Sequence, residues 1–425
     1  MKLTEGTYIL ESQGYIIIYN IYNSSYVKIK IKEIESHKHK IEKLLIEDGF
    51  LTKKNEELFL TDTNYNNKNT IYLKITNNCN LSCEFCCSAS SNNIVEPYVD
   101  LKNFNIIFSW LKGINFKRLV LTGGEPLKHP EILSILKLKD ARYKMILSTN
   151  GLLINKNNIN DIAKNIDYII ISVENLFEDI SMIKWLDNCI NEFRKRNVKV
   201  ALSYVVTKKN ILRVINFLDY CNNKDVDISL KIVAPIGKAM INKGILLEEE
   251  EVNNLYYKIY CHFATVKNIS HKIHNFLFPI IRPKLNCSAG NKTISINAEG
   301  EVYACHSLEK DFFKYGNIID GEINEKKLLS GVDLSPLNLC NNLFCNNCEI
   351  KYFCGGNCYA ERVSYGENKR CNCEFFKELI IFSLFNYDKQ QSCKENLKEF
   401  ISGKSKNYIL DLKERRSWNE LFRNQ

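Results

Sequence analysis

The sequence contains no apolar stretch approaching the roughly 20 residues needed to cross a bilayer. Its first residues, MKLTEGTYILESQGYIIIYN, lack the basic start, continuous apolar run and small-residue cleavage site of a secretory signal. A concentrated block of one charge is missing too. The 58 Lys and Arg exceed the 49 Asp and Glu by nine, and the excess is dispersed along the chain, whereas a polyphosphate binder gathers its basic residues. These absences argue against membrane and nucleic-acid partners and predict a cytoplasmic protein. The composition of a disordered chain is also lacking: 45% hydrophobic and 11% aromatic residues supply substantial cores. At 425 residues the chain exceeds one compact core and is expected to form two or three domains. Cysteine, by contrast, is plentiful, with seventeen. Structural disulfides are rare in a reducing compartment, so so many thiols point to metal ligation or redox chemistry.

Residues 1–65 read as a separate unit. YIIIYNIYNSSYVKIKI holds two β-rich runs around a polar turn, the second alternating Val27, Ile29 and Ile31 with Lys28, Lys30 and Lys32. A helical pattern follows with Ile34, Ile41, Leu44 and Leu45 on one side, ending at Gly49, and TDTNYNNKNT (61–70) reads as a linker. Residues 70–285 alternate strands with helices. The strands are IYLKIT (71–76), RLVLT (118–122), KMILS (144–148), DYIIIS (167–172), KVALSYVV (199–206) and ISLKIV (228–233). Asp100 before Phe104, Ile107, Phe108 and Leu111, with Gly113 beyond, predicts a capped amphipathic helix. Six β/α units with near-continuous apolar strands imply an α/β fold with a parallel sheet curled into a partial or full barrel. Its active edge would lie at the C-terminal ends of the strands. Residues 286–375 hold nine of the seventeen cysteines among glycines and irregular segments, which predicts a small metal-organised domain. Residues 376–425 read as a helical tail, mildly basic, whose charge is assigned no role.

Just beyond the first barrel strand, CNLSCEFCC places Cys79, Cys83 and Cys86 in a C-x3-C-x2-C pattern. Three thiolates in one tight loop can hold three irons of a cubane and leave the fourth iron without a protein ligand. A structural zinc site wants four ligands, and Cys87, next to Cys86, is awkwardly placed as the fourth. After the second strand comes LTGGEP, where Gly123 and Gly124 permit a close backbone approach and Glu125 offers a carboxylate to an ammonium group.

CNLSCEFC together with GGEP resembles the radical S-adenosylmethionine (radical SAM) enzymes. The resemblance implies that Cys79, Cys83 and Cys86 hold a 4Fe-4S cluster shielded by Phe85. S-adenosylmethionine would chelate its open iron, with Gly123, Gly124 and Glu125 on the methionine amine. It also implies cofactor contacts from Ser172, in ISVE, and from Lys184, while Glu174 stands where many relatives have Asp, leaving its role open. No further residue is assigned as a catalytic acid or base.

The later cysteines run Cys287, Gly300-x4-Cys305, Cys345-x2-Cys348-x5-Cys354-x3-Cys358, with Cys371 and Cys373 closing the series. Their order resembles the SPASM domain, an auxiliary-cluster module that follows radical SAM barrels. By that resemblance Cys287, Cys305 and Cys358 hold a first auxiliary cluster, and Cys345, Cys348, Cys354 and Cys373 a second, both expected as 4Fe-4S. The first lacks a fourth cysteine, so it either has an open iron or is closed by Cys340; Cys371 competes with Cys373. Cys189, Cys221, Cys261 and Cys393 are expected as buried small hydrophobes.

The implied fold is thus a partial (β/α)6 barrel with a small winged-helix-like N-terminal unit and a C-terminal cysteine-rich domain. The N-terminal unit resembles the precursor-recognition element of peptide maturases; equally, it is a barrel-capping appendage. The expected activity is oxidation of a ribosomally made precursor peptide that carries a leader, forming cysteine thioether cross-links, with flavodoxin or ferredoxin as electron donor. Alternatives are a peptide epimerase, a carbon–carbon cross-linking enzyme, a sulfatase (formylglycine) maturase, or a non-catalytic iron–sulfur or zinc protein.

Overall fold

A computed structural model describes residues 1–52, 67–91, 98–174, 180–284, 287–324, 328, 339–356, 358–365, 373–415 and 417–422. At the N-terminus, β1 (Lys2–Leu3) pairs with β5 (Leu51–Thr52), while β2 (Thr7–Ser12), β3 (Tyr15–Asn20) and β4 (Ser25–Lys30) form an antiparallel meander. Exposure alternates along β4, as its apolar and lysine residues predict. The strand ends at Lys30, however, and Ile31 and Lys32 open helix α1 (Ile31–Glu47). Ile34 and Leu45 are buried, whereas Leu44 is 50% exposed. A non-helical backbone at His37 interrupts α1 and shifts the phase that the sequence pattern assumed.

The chain's far end completes this unit. The strand Lys413–Arg415 pairs with β2, so the tail is not wholly helical. Trp418 is buried against Ile9, Ile16, Ile34 and Leu45, and its indole N–H donates to Glu42 Oε1 at 2.8 Å.

Six parallel strands follow in spatial order: β6 (Asn67–Lys74), β7 (Asn115–Thr122), β8 (Lys144–Thr149), β9 (Tyr168–Ser172), β10 (Lys199–Val206) and β11 (Asp227–Ile232). The crossovers carry α2 (Leu101–Leu111), α3 (Ile132–Leu136), α4 (Ile159–Lys164), α5 (Ile180–Lys195) and α6 (Val214–Lys224). Asp100 caps α2 as expected, its side chain accepting the Asn103 N–H at 2.7 Å. One face of the sheet, with Leu73, Leu121, Leu147, Ile171 and Leu202, joins the helices in the main core. This is the α/β partial barrel that the sequence predicts.

Two expected limits shift. β6 starts at Asn67, inside the presumed linker, because Asn69 and Thr70 bond the Lys292 carbonyl and Lys68 Nζ donates to the Gly290 carbonyl at 3.0 Å; residues 61–66 lie outside the described residues. The cysteine-rich region also continues the barrel sheet. β12 (Thr293–Ile296) pairs in parallel with β6, and β13 (Glu301–Tyr303), β14 (Lys314–Asn317) and β15 (Glu322–Ile323) add on antiparallel. That region is therefore anchored by strands rather than irregular throughout. Helices α7 (Glu249–Thr265) and α8 (His271–Leu277) follow β11, and Tyr256 and Tyr260 of α7 pack against Phe375 of the helix Cys373–Phe385.

Candidate active site

Strand ends determine how the first cysteine loop is held. Thr76 and Asn78, just past β6, accept the Gly124 and Glu125 amides at 2.7 and 2.8 Å. A Cβ on Gly123 would lie 2.3 Å from the Thr76 carbonyl oxygen, and one on Gly124 2.2 Å from that of Asn78. The two glycines are thus required by backbone meeting backbone, a reason different from the ligand approach inferred from sequence.

Glu125 is fully buried. Its Oε1 accepts the Leu127 amide and the Thr149 hydroxyl, at 2.9 and 2.6 Å, and its Oε2 accepts the Asn150 amide at 2.8 Å. Burial raises its carboxyl pKa and these three donors oppose the rise. Most of its accepting capacity therefore serves to lock the GGEP turn to the end of β8. The Asn150 side chain in turn donates to Asn80 Oδ1 at 2.8 Å and lies 4.0 Å from Cys79 Sγ.

A second clamp comes from the opposite side of the sheet. Beyond β11, the Lys238 amide donates to the Cys86 carbonyl at 3.0 Å, and Lys238 Nζ donates to Ser82 Oγ and the Ser90 carbonyl at 3.0 and 2.6 Å. Gly237 has φ +60°, and a Cβ there would stand 2.4 Å from the Cys86 carbonyl oxygen. Lys209 pairs with Glu84 at 2.6 Å. Phe85 packs on Val233, Ala239 and Ile245. The cysteine loop is therefore strapped across the mouth of the open barrel, from β6 and β8 on one side to β11 on the other.

Cys79, Cys83 and Cys86 lie within electrostatic reach of one another; Cys87 is exposed. Burial, with Glu174 and the other two thiols, pushes Cys83 up to about 11. Glu174 is buried past the end of β9 and accepts the Val205 amide at 2.9 Å. Burial pushes its carboxyl up to about 7. Ser172 ends β9 in register with Ser203. Lys184 is exposed on α5, and no contact joins it to the cysteine loop among the described residues.

The later cysteines gather in two groups. Cys305 lies within electrostatic reach of Cys287 and Cys358, and burial pushes its thiol up to about 12, whereas Cys358 is exposed. His306 Nδ1 stands 3.6 Å from Cys305 Sγ, and its ring lies 4.2 Å from that of Tyr72. Burial first, then Lys74 and Lys231, push the imidazole down to about 3, so it is neutral. Cys345, Cys348 and Cys354 form the other group. Cys373 opens the helix Cys373–Phe385. The side chain of Cys340 and residue Cys371 lie outside the described residues. Among the described residues no three His, Cys, Asp or Glu side chains converge to hold a single metal ion.

Of the thiols expected as buried hydrophobes, Cys189 and Cys221 are buried and Cys393 is half-buried, but Cys261 is exposed, on the outer side of α7. Sequence reasoning missed the clamping roles of Thr149, Asn150, Gly237 and Lys238. Their signal was position alone, in STNG and APIGKA at the ends of β8 and β11.

Residues 73–248 match the family model described as the Radical SAM superfamily. The match runs from the end of β6 past β11 and covers about two fifths of the chain. Among curated proteins it is similar to GTP 3',8-cyclase of Clostridium perfringens strain 13, with 28% identity over 197 residues, covering 42% of this chain and 60% of that one. A probable GTP 3',8-cyclase of Sulfolobus acidocaldarius is 23% identical over 58% of this chain and 84% of its own. The chain thus spans about three fifths of the Clostridium relative's length. Among solved structures it resembles anSMEcpe with bound AdoMet and Cp18Cys peptide, with TM-score 0.58 and 18% identity over 79% of this chain and 99% of that one. It also resembles Streptococcus suis SuiB bound to precursor peptide SuiA, with TM-score 0.54 and 15% identity over 87% of this chain and 99% of that one. At these identities the likeness concerns the fold.

Proposed function

We propose that this enzyme is a radical SAM maturase that modifies a ribosomally made precursor peptide and forms cysteine thioether cross-links. The supporting observation is the seating of the N-terminal sheet. Tyr19 and Tyr26 of β3 and β4 pack against Phe353, beside the Cys345, Cys348 and Cys354 group, while the outer edge of β4 has no strand partner among the described residues. An open, lysine-bearing strand edge suits an extended leader peptide, which would add as a further strand. The solved structures that carry peptides share a fold with 87% and 79% of this chain, which supports a peptide substrate.

The donor set fits the implied groups. Cys79, Cys83 and Cys86 would hold a 4Fe-4S cluster, three thiolates for three irons. When bound, that cluster and S-adenosylmethionine supply a 5'-deoxyadenosyl radical that removes hydrogen from the substrate. The chain's own part is placement. Lys238 and Gly237 hold the loop closed, Phe85 covers it from the β11 side, and Glu125 fixes the turn beside it through Thr149 and Asn150. Gly123, Gly124, Glu125 and Ser172 would face the methionine portion of the cofactor. Cys287, Cys305 and Cys358, and Cys345, Cys348, Cys354 and Cys373, would hold two auxiliary clusters, and a flavodoxin or ferredoxin would supply electrons.

The chain reconstituted with iron and sulfide under anaerobic conditions, given S-adenosylmethionine and a reductant, will form 5'-deoxyadenosine, and Cys83→Ala will form none. A cysteine-containing precursor peptide that the enzyme accepts will become two hydrogens lighter per link, with one cysteine lost to alkylation. An unchanged mass with deuterium taken from solvent would indicate epimerisation, and a lighter product with every thiol still free would indicate carbon–carbon bonding. The curated relatives favour a second reading, cyclisation of GTP. GTP consumption by the reconstituted chain, with the peptide untouched, would establish that reading instead.

A further inference from the structure

Tyr19 occupies the middle of β3 and is fully buried, yet its hydroxyl has no hydrogen-bond partner among the described residues. The side chain is enclosed by aromatic rings. Tyr8 stacks on it at 5.5 Å, Phe353 lies at 4.6 Å and Tyr352 at 6.5 Å. The Tyr8 hydroxyl donates to that of Tyr352 at 3.3 Å, so the two neighbouring phenols are engaged with each other. Packing alone would be served equally by phenylalanine. A buried phenol without an acceptor is a rare exception in native proteins, and it calls for a group that fills the gap.

The surroundings indicate what that group is. Cys345, Cys348 and Cys354 pack against the same apolar cluster as Tyr19. Glu414, Tyr8 and then Cys348 lie within electrostatic reach of its hydroxyl, and of these only Cys348 belongs to the cysteine group. Tyr352 and Phe353, which hold the ring, lead directly into Cys354. The sulfurs of an iron–sulfur cluster accept hydrogen bonds, and such bonds are among the determinants of cluster potential.

We infer that the Tyr19 hydroxyl donates a hydrogen bond to a sulfur of the cluster held by Cys345, Cys348 and Cys354, and so places that cluster's potential under the control of the N-terminal sheet. The inference rests on the proposal that these cysteines hold a cluster. Tyr19 is a positioning residue, and its strand β3 pairs with the edge strand β4 through Tyr19 and Tyr26. A donor favours the more negative, reduced cluster, so its removal lowers the potential.

The test uses the full chain with Cys79, Cys83 and Cys86 all changed to Ala, so that only the later cysteines bind iron. Reconstituted protein is titrated potentiometrically with detection by electron paramagnetic resonance. Cys345→Ala plus Cys348→Ala in this background should remove about one cluster's worth of iron; if iron content does not change, the cluster proposal fails and this inference with it. If that iron is lost, Tyr19→Phe, with iron content retained, should make the cluster about tenfold harder to reduce, about 59 mV for a one-electron couple. It should also remove one exchangeable proton coupling from the cluster's electron–nuclear double resonance spectrum. Tyr8→Phe should change neither reading. A Tyr19→Phe protein with unchanged potential and unchanged proton coupling would overturn the inference while leaving the cluster in place.

Discussion

Thr149 holds Glu125 in place: its hydroxyl donates to Oε1 at 2.6 Å inside a site from which solvent is excluded. The amides of Asn150 and Leu127 complete the arrangement. A Glu125→Gln substitution would turn an amide donor toward one or more of these donors and leave buried polar groups unpaired. The expected cost is about 1–3 kcal/mol, read as a lower urea midpoint with an unchanged slope. An unchanged midpoint would mean the carboxylate is free for other work.

Glu174 predicts a pH dependence. Burial raises its folded pKa to about 7 from an unfolded value of 4.5, so the folded chain binds more protons than the unfolded chain between those values. Stability is then greatest below pH 4.5 on this account and declines as pH rises toward 7, by at most roughly 3 kcal/mol, with no further loss from this group above it. Denaturation of the metal-free chain across this window, compared with Glu174→Gln, checks it; equal slopes for the two proteins would contradict the assignment.

Gly237→Ala brings a methyl group 2.4 Å from the Cys86 carbonyl oxygen and forces an L side chain into φ +60°. The strain is on the order of 1–3 kcal/mol, and relief requires the loop to lift from its clamp. Iron bound by the first cysteine loop should fall, measured after reconstitution in a chain whose later cysteines are changed to Ala. Gly244→Ala, where a Cβ meets nothing within 4 Å, should bind iron normally.

Thiol accessibility gives a test that needs no cofactor. In the metal-free chain, exposed Cys87 and Cys261 should be alkylated first, Cys83 more slowly because burial and its acidic neighbours hold its thiol protonated, and fully buried Cys221 last. Timed alkylation with peptide mass mapping reads the order. Cys83 reacting as fast as Cys87 would show that the loop is not held as described.

Trp418 tests the union of the two chain ends. Its removal by Trp418→Ala empties a fully buried site among Ile9, Ile16 and Leu45 and strands the Glu42 carboxylate. The expected loss is about 3–5 kcal/mol, seen as earlier thermal unfolding of the N-terminal unit.

Much of this protein was determined by its sequence alone. The six barrel strands followed from short apolar runs, because a strand buried on both faces has little freedom in composition. The Cys79, Cys83, Cys86 loop followed from spacing within eight residues, a local property, and the cap at Asp100 from its neighbours. Other features depended on residues far apart in sequence, which local pattern does not record. Pairing of β12 with β6 carried the sheet into the cysteine-rich region, and the strand Lys413–Arg415 joined the N-terminal sheet some four hundred positions away. Lys238 reached back to Cys86, and Glu125, read from sequence as an acceptor for an ammonium group, is buried and accepts three donors from the chain itself. Backbone hydrogen bonding and burial settled these matters, since both depend on which surfaces meet, and only the tertiary structure brings those surfaces together.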